Sequence, residues 1–324
     1  MRTSSWLAGL CLLASLPAQP ALAQEQPSYQ KVSFYFAAHQ DDWQLFMNPS
    51  AFQDVTSAGT KVVFVHLTAG DAGVGVGAKG RKHPFYLARD NGAEQAIRFM
   101  ADGDQPPAEK VTDKPTISGH AIYRMRYRNT VSYFLRVPDG NASGAGYAAT
   151  GFQSLRRLSE GKIATLSAVD GSTAYRGWSD LVATLQTLID SERGSAPAVQ
   201  LNVAELDQRS NAADHSDHLM TAQAALDATA GLACARRVHY IEYASWKMPQ
   251  NVDPEQRDLE SSVFAVTAAG VRALDHGMNW RAYDQSFVGR HYFRVEEGKG
   301  ACEAPASGLS IAGRHATALP SSGR

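Results

Sequence analysis

The stretch VSFYFAAHQDDW, residues 32–43, joins a run of apolar residues directly to a histidine and two adjacent aspartates. The run is nearly continuous in β-branched, aromatic and small apolar residues, as in strands that are covered on both faces. Further runs of the same kind follow at 61–69 (KVVFVHLTA), 198–204 (AVQLNVA) and 237–245 (RVHYIEYAS). We therefore predict four buried strands, the first of which ends at the histidine.

Helical patterns separate these strands at 85–101, 179–192 and 217–231, with Gly231 at the position of a C-cap. Strands that alternate with helices predict an α/β, Rossmann-like fold with a mostly parallel sheet and helices on both faces. In such sheets, ligands bind beyond the carboxyl ends of the strands. The segment 39–42 follows one of those ends.

The composition is that of an ordinary globular protein, with 44% hydrophobic and 19% charged residues among 324. The formal net charge is −1 and no block of Lys or Arg stands out, which argues against a nucleic-acid partner. No apolar run of about 18 residues occurs after the N-terminal segment, so we expect no stable membrane insertion. The sequence gives no indication of a protein partner.

The N-terminal stretch MRTSSWLAGLCLLASLPAQPALAQ contains one arginine, then an apolar run, then the residues ALA before Gln24. This order is typical of a secretory signal peptide, so we expect cleavage after Ala23. The mature protein is then periplasmic or secreted.

For the mature chain we expect a main domain at 24–250, a C-terminal extension packed on it at 251–300, and a mobile tail at 301–324. Two cysteines remain after cleavage, Cys234 and Cys302. In an oxidising compartment they can pair and attach the C-terminal segment to the body. The alternative is two unpaired thiols, with Cys234 buried.

The pattern His39-x-Asp41-Asp42 has the spacing of a metal-binding turn. If the chain passes from strand into helix here, side chains 39 and 42 converge while Asp41 projects in a neighbouring direction. Zinc accepts imidazole nitrogen and carboxylate oxygen together. The alternative is an aspartate that caps a helix N-terminus.

A second cluster, HSDH, places His215 and His218 three residues apart at the start of a predicted helix, where both face the same way. In isolation this pattern favours two exposed histidines. Both clusters, however, open helices that follow strands of one parallel sheet, so their first turns should lie close together. About three protein ligands with one open position are what catalytic zinc requires. Together the clusters predict a metal site.

Four stretches in order resemble the motifs of the PIG-L or LmbE-like superfamily of N-acetylglucosaminyl-phosphatidylinositol de-N-acetylases. AAHQDDW is similar to that family's AHPDDE signature, and HSDH to its HPDH motif. TAGDAG (68–73) resembles its T-x-G-E-x-G turn, and YLARDNGAEQA (86–96) resembles its Arg-Arg/Lys-Glu-E-x-x-x-A helix. The likeness spans roughly 31–245.

This resemblance implies a zinc-dependent hydrolase that removes acetyl groups from amino sugars or related N-acyl compounds. By the same resemblance, His39, Asp42 and His218 would be the metal ligands, and Asp41 the general base. His215 would be the cationic or hydrogen-bonding partner of the oxyanion, with protonation of the leaving amine as a further role. Arg89 would contact the substrate.

Other features leave alternatives open. Iron, cobalt or manganese also accept His and Asp ligands. Gln40 and Trp43 stand where the family has Pro and Glu, which predicts a less constrained turn; Trp43 either packs in the core or faces a sugar. Asp139, in the turn VPDGN, is a candidate substrate contact. The competing functions are a metal-dependent amidase for a larger acyl group and a non-catalytic sugar- or nucleotide-binding module. The substrate itself is expected to be a small molecule or glycan.

The stretch GVGAKG at 75–80 fits the G-x-G-x-x-G pattern of dinucleotide-binding loops. Such a loop should open a helix at once, whereas RKHP follows here, and proline disfavours helix at the preceding residue. We interpret it as a glycine-rich loop near the site entrance.

Overall fold

An eight-stranded sheet forms the centre of the computed structural model, which describes residues 28–305. The predicted signal peptide and nearly all of the predicted tail lie outside the described residues. The strands are β1 (Lys31–Ala37), β2 (Thr60–Thr68), β3 (Val111–Asp113), β4 (Thr116–Ile117), β5 (His120–Ala121), β6 (Tyr123–Tyr127), β7 (Thr130–Val137), β8 (Thr165–Ser167), β9 (Ala174–Arg176), β10 (Ala198–Ala204), β11 (Arg236–Tyr240) and β12 (Phe293–Glu296). The α-helices are α1 (Asp42–Phe46), α2 (Ser50–Thr56), α3 (Phe85–Asp102), α4 (Leu155–Ser159), α5 (Trp178–Arg193), α6 (Ser216–Ala228), α7 (Pro254–Ala273) and α8 (Trp280–Ser286).

The sheet has the order β12-β11-β10-β1-β2-β7-β6-β3. The five central strands are parallel to one another: β11, β10, β1, β2 and β7. Antiparallel pairs extend the sheet at both edges, with β12 on one side and β6 and β3 on the other. The predicted α/β fold with a mostly parallel sheet is confirmed.

Alternate residues of β1 enter two separate apolar cores. Phe34 and Phe36 pack on the face that α5 and α6 cover, whereas Tyr35 and Ala37 pack on the face of α3 and α7. Because both faces of the central strands are buried, these strands have nearly continuous apolar sequences rather than alternating ones. Helices therefore lie on both sides of the sheet, as predicted.

The position of β1 decides where a ligand can bind. Its neighbours are β2 on one side and β10 on the other, so the chain leaves the centre of the sheet in opposite directions. Such a reversal opens a crevice outside the carboxyl ends of the two adjoining strands. The loop after β1 and the start of α6, which follows β10, both lie at this crevice.

Two predicted boundaries were wrong. The helix predicted at 217–231 stops at Ala228, and its C-cap residue Thr229 donates its hydroxyl to the Ala225 carbonyl. The strand expected to reach 245 stops at Tyr240, and a short 3-10 helix follows at Tyr243–Lys247. The second change turns residues 242 and 243 toward the crevice instead of continuing the sheet.

The segment 251–300 packs tightly on the rest of the protein. Helix α7 crosses α3 where Gly92 faces Gly270: a Cβ on Gly270 would lie 2.8 Å from the Gly92 Cα. Glycine is required where α7 crosses α3, because a side chain would separate the two helices. Strand β12 pairs with β11, and a disulfide joins Cys234 to Cys302. Within residues 28–305, none of the helices combines the length and apolarity needed to cross a bilayer.

Candidate active site

Three side-chain atoms form a nearly equilateral triangle at the crevice. His39 Nδ1 lies 3.2 Å from His218 Nε2 and 3.4 Å from Asp42 Oδ1, and the last two atoms are 3.3 Å apart. Tetrahedral ligands at zinc distances of about 2.0–2.1 Å are about 3.3–3.4 Å from one another. The residues predicted as ligands are therefore already at ligand spacing, and they form a candidate His/Asp metal site.

Local backbone structure explains this convergence. Asp42 is the first residue of α1, and its Oδ2 accepts the backbone N–H of His39 at 2.7 Å, which closes the turn after β1. His218 lies in the first turn of α6. Because β1 and β10 are adjacent and parallel, the two turns meet. Asp41, the N-cap residue of α1, makes no side-chain cap hydrogen bond among the described residues, so it does not act as the capping aspartate of the alternative interpretation.

Carboxylates outside the triangle orient both histidines. His218 Nδ1 lies 2.8 Å from Asp214 Oδ1 and 2.6 Å from Glu242 Oε2, which leaves Nε2 for a metal. His39 Nε2 faces Asp217 Oδ2 at 3.6 Å and has no hydrogen-bond partner among the described residues. Carboxylates in this position fix the ring orientation of metal-binding histidines and raise their basicity.

The electrostatic field of the cluster favours positive charge at the triangle. Burial alone would favour the neutral forms, yet His218 and His39 hold the pKa of Asp42 well below its usual range. Against the same burial, the Asp42 carboxylate and the nearby Asp217 carboxylate raise the pKa of His39 to about 10. A pocket that attracts protons onto buried imidazoles also provides a favourable potential for a divalent cation.

His215 stands beside the triangle and differs from the other two histidines. Its Nδ1 accepts the backbone N–H of Asp217 at 3.1 Å and so caps α6. That hydrogen bond leaves the ring proton on Nε2, so the neutral ring still has a donor. Burial and the neighbouring His39 lower the pKa of His215 to about 4. Of the two forms predicted for His215, this hydrogen bond is compatible with the neutral, hydrogen-bonding one.

Asp41 stays outside the triangle and pairs with Arg89. The Arg89 guanidinium donates from NH2 to Asp41 Oδ1, and both side chains are largely buried. Arg89 also reaches the Gly70 carbonyl at 3.4 Å. The predicted base and the predicted substrate contact are thus direct partners at the mouth of the site.

Gln40 holds the turn in place of a proline. Its Nε2 donates to the Thr68 carbonyl at 3.1 Å and to Asp90 Oδ1 at 2.9 Å. The expectation of a less constrained turn was wrong, because these two bonds attach the turn to β2 and α3. Trp43 is fully buried and donates to His66 at 3.2 Å, so its core role is confirmed and a sugar contact is excluded.

A cavity of about 170 Å³ opens above the triangle. It is lined by His39, Asp41, Asp42, Leu45, Phe46, Arg89, Asp139, His215, Tyr243 and Tyr283. Asp139, predicted as a substrate contact, lies at the site, with its Oδ2 3.9 Å from His39 Nε2. The glycine-rich stretch 75–80 forms turns, and the next helix begins only at Phe85. This stretch therefore does not open a helix as a dinucleotide-binding loop would.

Sequence reasoning missed several residues of the site. Asp217 lies inside HSDH and Asp214 directly before it, but the pattern singles out only the two histidines. Glu242 and Tyr243 follow the carboxyl end of β11, which reaches the same sheet edge, and that position was the available signal. Tyr283 has no comparable signal, because it lies some 65 residues beyond HSDH in a segment with no family motif.

No family model matches the chain, and no curated protein matches it. Among solved structures, the chain is similar to an N,N'-diacetylchitobiose deacetylase from Pyrococcus horikoshii, determined in complex with its inhibitor MPG. The two are 14% identical with a TM-score of 0.44, over 83% of this chain and 84% of that chain. At this level the likeness is too weak to carry an argument about function, so the functional case depends on the geometry of the site.

Proposed function

We propose that this protein is an exported, zinc-dependent N-deacetylase that hydrolyses the acetamide of an N-acetylated sugar or sugar-bearing molecule. The observation that carries the proposal is the triangle of His39, Asp42 and His218. Asp41 and His215 line the same cavity but are not part of the triangle. Amide hydrolysis needs an activated carbonyl, a base for water and a donor for the oxyanion. The site has a residue for each task.

His39, Asp42 and His218 would hold the metal, through Nδ1, Oδ1 and Nε2 respectively. When bound, zinc supplies a Lewis acid for the carbonyl and lowers the pKa of water to roughly 7. Asp214 and Glu242 keep the His218 ring oriented for this role. The donor set of two imidazoles and one carboxylate suits zinc, although iron or cobalt would be accepted too.

Asp41 takes the proton from the attacking water, since it lies beside the ligands but is not one of them. The ion pair with Arg89 holds the Asp41 carboxylate in place beside the ligands. The proton that Asp41 gains is then available to the leaving nitrogen, which must be protonated before the carbon–nitrogen bond breaks. A single carboxylate can thus serve first as base and then as acid.

His215 stabilises the oxyanion as a neutral donor. Its cap bond to Asp217 fixes the tautomer with the proton on Nε2. A preorganised donor of this kind pays no cost of reorganisation during the reaction, and removing one typically lowers kcat about 10²–10³-fold. Asp139, also at the cavity, would bind substrate hydroxyl groups.

The size of the cavity is compatible with an acetyl group. Its volume of about 170 Å³ leaves room for a short acetamide at the metal, with a sugar ring at the entrance. The Cys234–Cys302 disulfide supports export, because disulfides persist in oxidising compartments.

The test combines elemental analysis of the purified protein with an acetate-release screen over N-acetylated sugars. We expect about one zinc per chain and release of acetate that chelation abolishes and zinc restores. Release of a larger acid from longer N-acyl substrates, without acetate, would instead identify the amidase. A protein without metal and without turnover would be the non-catalytic binding module.

A further inference from the structure

Tyr283 connects the C-terminal segment to the candidate active site. It lies on α8, and it lines the cavity together with Asp41, Arg89 and His215. Among the residues that line this cavity, all within 28–305, Tyr283 alone comes from beyond residue 250. The C-terminal segment therefore supplies part of the wall.

Aromatic side chains support the Tyr283 ring from behind. Its ring centroid lies 6.1 Å from that of Phe287 and 6.2 Å from that of Phe264. Phe287 in turn stacks on Tyr243 at 5.7 Å, and Tyr243 makes an edge contact with His218 at 4.9 Å. The wall is therefore continuous with the metal site, and each ring is held by its neighbours.

The hydroxyl of Tyr283 is available to a ligand. No group in the described part of the chain hydrogen-bonds to it, while the ring is only partly buried. Burial raises the pKa of the phenol and the nearby Asp41 carboxylate adds to this effect, so the hydroxyl keeps its proton. It can therefore donate a hydrogen bond beside the Asp41–Arg89 pair.

We propose that Tyr283 binds the sugar ring of the substrate, which packs its C–H face on the phenol ring and accepts a hydrogen bond from the phenol hydroxyl. This inference rests on the proposed function and names a residue that determines specificity in it. A pyranose has an apolar face and a rim of hydroxyl groups, and the wall offers an aromatic face beside charged groups. The segment 251–300 thereby sets which sugar enters.

The test compares Tyr283→Ala and Tyr283→Phe with the wild type, all loaded with zinc. Trp280→Ala is the matched control, because Trp280 lies on the same helix but does not line the cavity. Glucosamine, the amine product of N-acetylglucosamine, is titrated by calorimetry, and KM and kcat are measured for N-acetylglucosamine. Zinc content and melting temperature show whether each variant is intact.

For Tyr283→Ala we expect the Kd for glucosamine and the KM to rise about tenfold, with kcat and zinc content nearly unchanged. Tyr283→Phe, which loses only the hydroxyl, should raise both constants about threefold, and Trp280→Ala should change neither. Equal affinity in the wild type and Tyr283→Ala, or no binding of glucosamine by the wild type, would overturn the inference. Failure of the proposed function appears separately, as a wild type that releases no acetate from any N-acetylated sugar.

Discussion

Gln40 donates a side-chain hydrogen bond to Asp90 at 2.9 Å, while the next residue, Asp41, pairs with Arg89, the residue before Asp90. Two consecutive residues of the metal-binding turn thus contact two consecutive residues of α3. Asp90 is itself held by Arg136 at 2.9 Å. The turn is positioned by side chains where the resembling family uses a proline.

Replacing Gln40 by Ala should lower kcat without emptying the metal site. The substitution removes the bonds to Thr68 and Asp90 and leaves the ligand atoms unchanged, so Asp41 loses its position while zinc stays bound. We expect a drop of about tenfold or more in kcat, since a small misplacement of a catalytic group is costly. Steady-state kinetics with zinc analysis checks this.

Gln40→Pro is the informative second variant. If a rigid turn is all that matters, proline should recover most of the activity lost in Gln40→Ala. Loss of zinc in Gln40→Ala would show that the side chain holds the ligands rather than the base.

Replacing His215 by Ala should lower kcat by about 10²–10³-fold with zinc content unchanged, because the oxyanion loses its donor. The same change removes the cap of α6, which costs about 1 kcal/mol. His215→Asn separates the two effects, since asparagine is a good cap but places no donor at the same point. It should restore the melting temperature and leave the activity low. Full activity in either variant contradicts the assigned role.

Replacing Asp214 by Asn should weaken zinc binding by about 10–100-fold, as other losses of a carboxylate behind a ligand histidine do. Asp214 lies 2.8 Å from His218 Nδ1 and has no direct place in the triangle. Asp227→Asn is the control, because Asp227 lies on α6, the helix of His218, but accepts a hydrogen bond from Trp178 instead. Competition with a chromophoric chelator gives both dissociation constants, and equal values would refute the orienting role.

The stability of the protein should depend on the ionisation of Glu260. Burial raises the pKa of this α7 residue to about 7, although the Gly289 N–H and Arg257 oppose the shift. Between about pH 4.5 and 7 the folded state keeps a proton that the unfolded state has lost, so the free energy of unfolding falls as pH rises through this window. The decrease is complete above pH 7.

Glu260→Gln removes this contribution. From pH 5 to pH 8 the free energy of unfolding of the variant, relative to the wild type, should rise by roughly 1–3 kcal/mol. Denaturant unfolding at both pH values measures it. Glu255→Gln, at an exposed position of the same helix, should show no such change; a parallel response of both variants would exclude Glu260 as the cause.

The sequence predicted the part of the site that depends on strand ends. The apolar run before His39 and the one that precedes HSDH mark two strands that end at the same edge of the sheet. Because these strands are adjacent and parallel, the turn at His39 and the start of the HSDH helix lie close together. It did not predict how the turn is held, because Gln40 finds Asp90 only after α3 has packed. Nor could it predict Tyr283, whose place in the cavity wall depends on how α8 packs on α7 at Phe264. Contacts between distant segments arise from packing, which local patterns do not encode.

The assignment of two adjacent aspartates to different tasks is the central claim, and the metal content of Asp41→Asn tests it most directly. We predict about one zinc per chain, as in the wild type, with turnover lost, whereas His218→Ala should bind no zinc. A zinc-free Asp41→Asn protein would make Asp41 a ligand and contradict the account. So would a fully metallated, active His218→Ala.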